Sequence, residues 1–442
     1  MTYYNRYKGA AKNPDSPYIF TPVKRPQTPE ERLVEVERLL GGRYTPATLS
    51  DEQRAVFDQI CSWYDAIYDK SANVLTLGGY AGTGKSTLVS VLAGHYAHER
   101  IAFCSYTGKA TSVLRKKLRD ANAPISGVST LHALMYHPIV DEVTGVVRGW
   151  KQRKDVDYDL VIVDEASMLD KKLFDDLRRY NTPILAVGDH GQLPPVSGGG
   201  FNLMDKPELR LETIHRQAQD SRILALSAYA RQYGAVHDVE DDPKNEVQVL
   251  ELSQLDAAIQ DTYGNKDAPC ADIALLAYTN KTRAHLNTQA RKARFGDTYT
   301  PTPQVGDQVI CLRNTEATIF NGMRGIITEL NPKLETVFHY YGKVVFADDE
   351  IMVEGPICKP QFGRLTTFRD FDEYELETNR RVTHWDAVGL LLDYGYALTV
   401  HKAQGSQFEH VLLAHSPYWQ LDVKRALYTA VTRASKHLAV FQ

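Results

Sequence analysis

Short, almost wholly apolar runs recur along the chain, spaced so that a helix fits between consecutive ones. Val74–Leu77, Ile101–Ser105, Leu160–Val163 and Ile184–Val187 form one set, and Ile273–Ala277, Ala397–Val400, Val411–Ala414 and Leu438–Phe441 form another. Continuous apolarity marks strands buried on both faces, so each set predicts a mainly parallel sheet covered by helices, an α/β architecture. From about 300 to 393 the pattern shifts to short, turn-separated, β-rich segments such as GDQVICL, RGIITEL, KVVFA and EIMVEG. These predict a small β-barrel inserted into the second α/β unit. Within the first unit, the stretch from about 137 to 157 carries a Thr144-Gly145 turn between two Val-bearing runs, which predicts a β-hairpin. Residues 1 to about 28 lack periodicity and predict an extended or disordered arm. Pro29 to Leu40 predict a short helix stopped by Gly41-Gly42, and Ser50 is placed to cap a helix that starts at Asp51.

The first apolar run leads directly into GYAGTGKS, Gly79 to Ser86. A strand before and a helix after turn this pattern into a phosphate-binding loop. Gly79, Gly82 and Gly84 let the backbone curl so that its N–H groups and the helix N-terminus face an anion. Lys85 is expected to reach the β- and γ-phosphates and Ser86 to ligate Mg²⁺, with Thr83 and Thr87 completing the nucleotide-binding stretch. The Leu160–Val163 run ends in Asp164-Glu165, where Asp164 suits Mg²⁺ and Glu165 suits activation of a water against the γ-phosphate. Together these motifs imply hydrolysis of a nucleoside triphosphate, with ATP and Mg²⁺ as the expected ligands.

Composition adds bounds. A chain of 442 residues has room for roughly two to four domains. No apolar run approaches membrane-spanning length, and MTYYNRYKGAAKNP lacks a signal-peptide centre. Cys61, Cys104, Cys270, Cys311 and Cys358 are scattered without metal-ligand spacing, which fits a reducing cytoplasm. The net charge of −4 does not point to nucleic acid, although a groove needs only local basic surface. Basic clusters at Lys109–Arg119, Arg148–Lys154 and Arg283–Arg294 each read, taken alone, as a solvated helix or loop face.

Further motifs follow in order. They are GDHGQLPPV from Gly188 to Val196, Ile214-His215-Arg216-Gln217, TVHKAQGSQF from Thr399 to Phe408 and LYTAVTRASKHL from Leu427 to Leu438. In this order they resemble the motifs of superfamily 1 helicases, nearest to the 5′-to-3′ branch of RecD and phage Dda type. The resemblance covers the chain from about Leu49 onward. It implies two RecA-like P-loop NTPase domains, at 46–215 and 216–442, after an N-terminal extension at 1–45. The hairpin would be a strand-splitting pin in the first domain, and the barrel an SH3-like insertion in the second. It also implies that Gln53 reads the adenine and that Gln192 senses the γ-phosphate. Arg216 and Arg433 would present guanidinium groups to that phosphate, and Gly405 would let the backbone approach the nucleotide. Thr107, Lys109, Thr130, His132 and His401 would grip single-stranded DNA. Trp150 is either the wedge of the pin or a residue that packs the hairpin onto its own domain.

The implied activity is an ATP-dependent helicase stepping 5′-to-3′ on single-stranded DNA and opening duplex junctions in replication, recombination or repair. Its partners would be DNA and single-strand-binding or other replication and recombination proteins. It would act as a monomer in the cytoplasm of a bacterial cell or phage-infected host. Three alternatives stay open from the residues: a translocase that strips proteins with little unwinding, a nucleotide-gated binding subunit and an RNA-directed motor.

Overall fold

The computed structural model describes residues 19–22, 48–67, 73–120, 123, 127–140, 147–195, 200–214, 221–237, 242, 244, 246–265, 271–314, 319–346, 351–368, 388–418 and 421–442. The Pro29–Leu40 helix, the Thr144-Gly145 turn and Arg216 lie outside these residues.

The first sheet is parallel throughout, in the order β4 (Val128–Thr130), β3 (Ile101–Ser105), β7 (Leu160–Asp164), β8 (Ile184–Gly188), β2 (Val74–Gly79) and β9 (Leu209–Leu211). β3 and β8 are buried at every position, which is why their sequences are continuous apolar runs. Helix α1 (Asp51–Asp65) begins in a complete capping box, with the Ser50 side chain accepting from the Gln53 backbone and the Gln53 side chain from the Ser50 backbone. It buries Gln53, Val56, Phe57 and Ile60, an i, i+3, i+4, i+7 stripe. α2 (Lys85–His95) follows β2, α3 (Gly108–Asp120) follows β3, and a short α4 (Leu131–Met135) follows β4.

The expected hairpin is present as β5 (Tyr136–Val140) paired antiparallel with β6 (Val147–Gln152), with a bulge at Ile139/Val140. α5 (Lys171–Arg178) lies between β7 and β8.

The second parallel sheet runs β10 (Val247–Leu250), β19 (Ala434–Phe441), β18 (Phe408–Ala414), β11 (Ile273–Ala277) and β17 (Ala397–Thr399). α6 (Arg222–Tyr233), α7 (Leu255–Tyr263), α8 (Asn280–Phe295) and α9 (Val423–Val431) flank it. Between β11 and β17 the chain builds an antiparallel sheet from β12 (Gln308–Cys311), β13 (Arg324–Leu330), β14 (His339–Phe346), β15 (Ile351–Cys358) and β16 (Leu392–Tyr394). A bridge from Ile357 of β15 to Leu390, just ahead of β16, links strands that lie on opposite sides of this sheet's order. The N-terminal segment is extended where it is described: β1 (Ile19–Pro22) pairs antiparallel with β15 and so extends this sheet.

The Arg283–Arg294 cluster is not a solvated face. Arg283, Arg291 and Arg294 on α8 are buried. Arg283 pairs with Asp393 at 2.8 Å and Arg291 with Asp307 at 2.8 Å, fixing the antiparallel insertion to its parent unit. A charge run shows where cations lie but not which carboxylates will meet them.

Candidate nucleotide site and interdomain cleft

The phosphate loop forms between β2 and α2. Gly82 and Gly84 both adopt φ of +80°, a conformation that glycine reaches without strain. A Cβ on Gly79 would lie 2.7 Å from Thr83 Oγ1, so the loop's tight wrap also excludes a side chain there. Lys85 Nζ donates to the carbonyl oxygens of Gly79 (2.6 Å) and Tyr80 (2.9 Å), curling back over the loop that a triphosphate would enter. Ser86 Oγ accepts from Lys117 Nζ at 3.0 Å, so a cation already stands at the hydroxyl expected to ligate Mg²⁺. Gln53 is buried and its Nε2 donates to the Thr83 carbonyl at 3.2 Å, tying α1 to the loop.

Asp164 ends β7, and its Oδ1 accepts from the Glu165 N–H at 3.0 Å. Glu165 takes a left-handed backbone, φ 56° and ψ 38°, which is costly for a residue with a Cβ. Burial pushes its carboxyl up from the ordinary value and the Asp164 charge adds to this, while Arg433 and Lys85 act in the opposite direction. Both cations are therefore within electrostatic reach of Glu165. A glycine cradle, a hydroxyl, two carboxylates and two cations in one place fit a magnesium-bound nucleoside triphosphate.

The second unit reaches into this site from across the cleft. Tyr428 on α9 accepts from the Ala81 N–H at 2.9 Å and donates to Asp189 Oδ2 at 2.7 Å. Burial and the Asp189 charge raise its phenol well above the usual range, so it stays a donor. Leu193 has both backbone groups taken: its N–H by Thr429 Oγ1 (3.0 Å) and its carbonyl by Gln404 Nε2 (2.7 Å). Its side chain sits in the hydrophobic core of the second unit. Gln192 is buried, and its Oε1 has no hydrogen-bond partner, an acceptor available to a ligand or water. Arg433 is held by the carbonyls of Thr429 (3.0 Å) and Ser406 (3.0 Å) and by Thr432 Oγ1 (3.1 Å). Gly405, with φ of +69°, approaches the first unit: a Cβ would lie 3.2 Å from Ala110 Cβ and 3.4 Å from Thr107 Oγ1.

The residues expected to contact DNA fall at strand ends and helix starts. Thr107 Oγ1 accepts from the Ala110 N–H at 3.1 Å, and Lys109 Nζ lies 4.8 Å from the centroid of the Phe408 ring. Thr130 is buried and its hydroxyl caps α4. His132 is half-buried, with its pKa lowered by burial and by Lys172, and it meets Trp150 edge-on at 4.7 Å. Trp150 remains 44% exposed, so packing on His132 leaves part of its ring open. His401 is half-buried, and burial lowers its pKa. The insertion also touches this region, since a Cβ on Gly108 would lie 2.2 Å from Phe320 Cβ.

Several of these residues were not legible as site residues. Tyr428 and Gln404 lie inside recognised motifs, and their neighbours were the only signal. Phe320 lies outside any motif, and nothing local marks it.

Known proteins resemble this chain in sequence and in fold. A family described as an AAA domain matches residues 48–242, and a UvrD-like helicase C-terminal domain matches residues 394–441. The ATP-dependent RecD2 DNA helicase of Deinococcus radiodurans is 27% identical over 87% of this chain and 48% of its own length. A probable conjugal transfer protein TraA of Sinorhizobium fredii is 25% identical over 89% of this chain and 32% of its own length. The chain thus spans half or less of these relatives. The RecBCD enzyme subunit RecD of Mycobacterium tuberculosis is 23% identical over 84% of this chain and 67% of its own. In fold, the chain resembles Pif1 helicase from Bacteroides, solved in complex with ADP-AlF3 and ssDNA. The TM-score is 0.51 at 18% identity, over 89% of this chain and 92% of that one. Among the described residues no helix is long and apolar enough to cross a membrane.

Proposed function

Because this chain belongs to the superfamily 1 helicases of RecD and Pif1 type, we propose that it is an ATP-dependent motor that steps 5′-to-3′ on single-stranded DNA and opens duplexes. The observation that carries the proposal is the meeting of two units at one loop. Tyr428 of the second unit accepts from the Ala81 N–H of the phosphate loop and donates to Asp189 of the first unit. A nucleotide site shared in this way couples its occupancy to the distance between the units, which is what stepping requires.

In this reading the Gly79–Gly84 loop and the N-terminus of α2 cradle the phosphates and Lys85 neutralises them. Ser86 and Asp164 hold Mg²⁺, which when bound offsets the charge that builds on the transferred phosphoryl group. Glu165 takes the proton from the attacking water. Gln192, buried beside Asp189, senses the γ-phosphate and couples nucleotide state to closure of the cleft. Arg433, with Arg216, stabilises the equatorial oxygens. Gln53 reads the adenine. Thr107, Lys109, Thr130, His132 and His401 grip the DNA backbone, largely without sequence preference. The β5–β6 hairpin acts as the pin, with Trp150 its wedge, and the antiparallel insertion takes the role of the SH3-like module. The setting is DNA replication, recombination or repair, in a bacterial or phage-infected cytoplasm, with the chain acting as a monomer beside single-strand-binding proteins.

The test is strand separation with ATP and Mg²⁺ on duplexes carrying a 5′ or a 3′ single-stranded tail. Opening of the 5′-tailed duplex alone, lost in Lys85→Ala, is the expected result. Opening of the 3′-tailed duplex alone would refute the polarity. DNA-stimulated hydrolysis with neither duplex opened would refute the unwinding and leave a translocase. Trp150→Ala should slow unwinding while leaving translocation on single strands intact.

A further inference from the structure

The cleft holds a cation that none of the motifs explains. Arg231 lies on α6 of the second unit, half-buried, and among the described residues its guanidinium meets no carboxylate and donates no hydrogen bond. Its Cζ lies instead 3.3 Å from the centroid of the Tyr80 ring. Tyr80 is the second residue of the phosphate loop, on the other side of the cleft. Its ring also meets His190 at 4.1 Å and, edge-on, Tyr428 at 6.1 Å.

The assembly is closely fitted. A Cβ on Gly191 would lie 2.9 Å from the Tyr428 ring and 3.1 Å from the Tyr80 ring, so glycine is what allows the rings to approach. Both ring nitrogens of His190 are buried without a hydrogen-bond partner, so this imidazole serves as a packing surface for Tyr80.

The backbone of Tyr80 is as engaged as its ring. Its carbonyl accepts from Lys85 Nζ at 2.9 Å and from Thr83 Oγ1 at 2.9 Å. A force on the ring therefore reaches the oxygen that holds the Lys85 ammonium. The contact with Arg231 spans the two units, so moving the units apart would break it. A cation over an aromatic face suits a contact that is made and broken repeatedly. Its parting strands no buried carboxylate, as the breaking of a buried ion pair would.

We propose that Arg231 and Tyr80 form a closure clasp, a positioning pair through which the second unit sets the phosphate loop and Lys85 when the cleft shuts. Arg231 acts through Tyr80, and neither side chain is assigned contact with the reacting atoms. The proposal rests on the motor reading above.

The test compares ATP turnover, with and without single-stranded DNA, and ADP affinity for the full chain and for Arg231→Ala, Tyr80→Leu, the double variant, Arg231→Lys and Tyr80→Phe. Arg231→Ala and Tyr80→Leu should each lower kcat about fivefold to tenfold, the rate equivalent of one desolvated contact of this kind. ADP affinity should stay within about twofold, and the double variant should be no slower than either single one, as expected for residues that act as one unit. Arg231→Lys and Tyr80→Phe, which keep a cation and a ring, should recover most of the rate. Independent, multiplying losses would overturn the clasp, as would equal damage in the conservative variants. DNA that fails to stimulate turnover would refute the motor reading alone, because the coupling can still be read from basal turnover. A wild-type chain without any turnover would refute both.

Discussion

Glu165 is set apart by its backbone as well as by its buried carboxyl. A left-handed conformation at a residue with a Cβ costs on the order of 1–3 kcal/mol, and it persists here at the turn that follows Asp164. Glu165→Gln keeps the shape and removes the base, so kcat should fall by about 10²–10⁴ while nucleotide affinity holds. Unchanged turnover in that variant would remove Glu165 from the chemistry. Lys402 makes a different case. Burial lowers its ammonium from 10.5 to about 8, with Arg283 adding to the effect and Asp393 and Cys311 opposing it. Below pH 8 both the native and unfolded chains hold this proton. Between 8 and 10.5 the unfolded chain keeps it and the native one sheds it, so native stability rises with pH through that window. The slope is at most about 1.4 kcal/mol per pH unit. Lys402→Met should flatten this rise and be the more stable protein below pH 8. Urea midpoints at several pH values check it, and parallel profiles for the two proteins would contradict it. At this scale the sequence revealed what is local. The phosphate loop and the Asp164-Glu165 pair are contiguous strings, whereas Tyr428 meets Ala81 across 347 positions of chain.

The elements were most legible where burial is complete. β3, β7 and β8 are continuous apolar runs because both faces are covered, and their sequences predict them closely. α8 was read less well because its arginines gave no sign of Asp307 and Asp393. The Arg291–Asp307 pair is almost wholly enclosed, and the Tyr396 hydroxyl also donates to Asp307 Oδ1 at 3.1 Å. Burial pushes the Asp307 carboxyl up and Arg291 draws it down. Asp307→Ala leaves Arg291 buried without its counter-charge, so it should cost roughly 3–5 kcal/mol in chemical denaturation. Arg291→Met with Asp307→Leu should cost markedly less, because the stranded charge goes too. Equal losses in the two proteins would show that the charge is not what makes the single change costly.

For the whole molecule, Leu193 decides how far the two units behave as one. It belongs to the first unit by sequence and to the core of the second by packing. Leu193→Ala removes that anchor and should cost about 2–5 kcal/mol. It should also split thermal unfolding into two transitions where the wild type shows one, a change that calorimetry would record. A single unchanged transition would mean that the hydrogen bonds from Thr429 and Gln404 suffice to join the units. The order of the two parallel sheets along the chain was legible from the spacing of apolar runs. Their mutual grip was not, since it depends on residues brought together only by the finished fold.

The strand order of the second sheet has a consequence for a chain emerging from the ribosome. β19 is made after every other strand of its sheet, yet it lies inside that sheet, between β10 and β18. Arg433 immediately precedes it. The first sheet is fully translated by Leu211, so a nascent chain can form the phosphate loop long before the second sheet has its interior strand. Until that strand threads into place, the phosphate loop can be complete while the arginine proposed to face it across the cleft is not yet held in position.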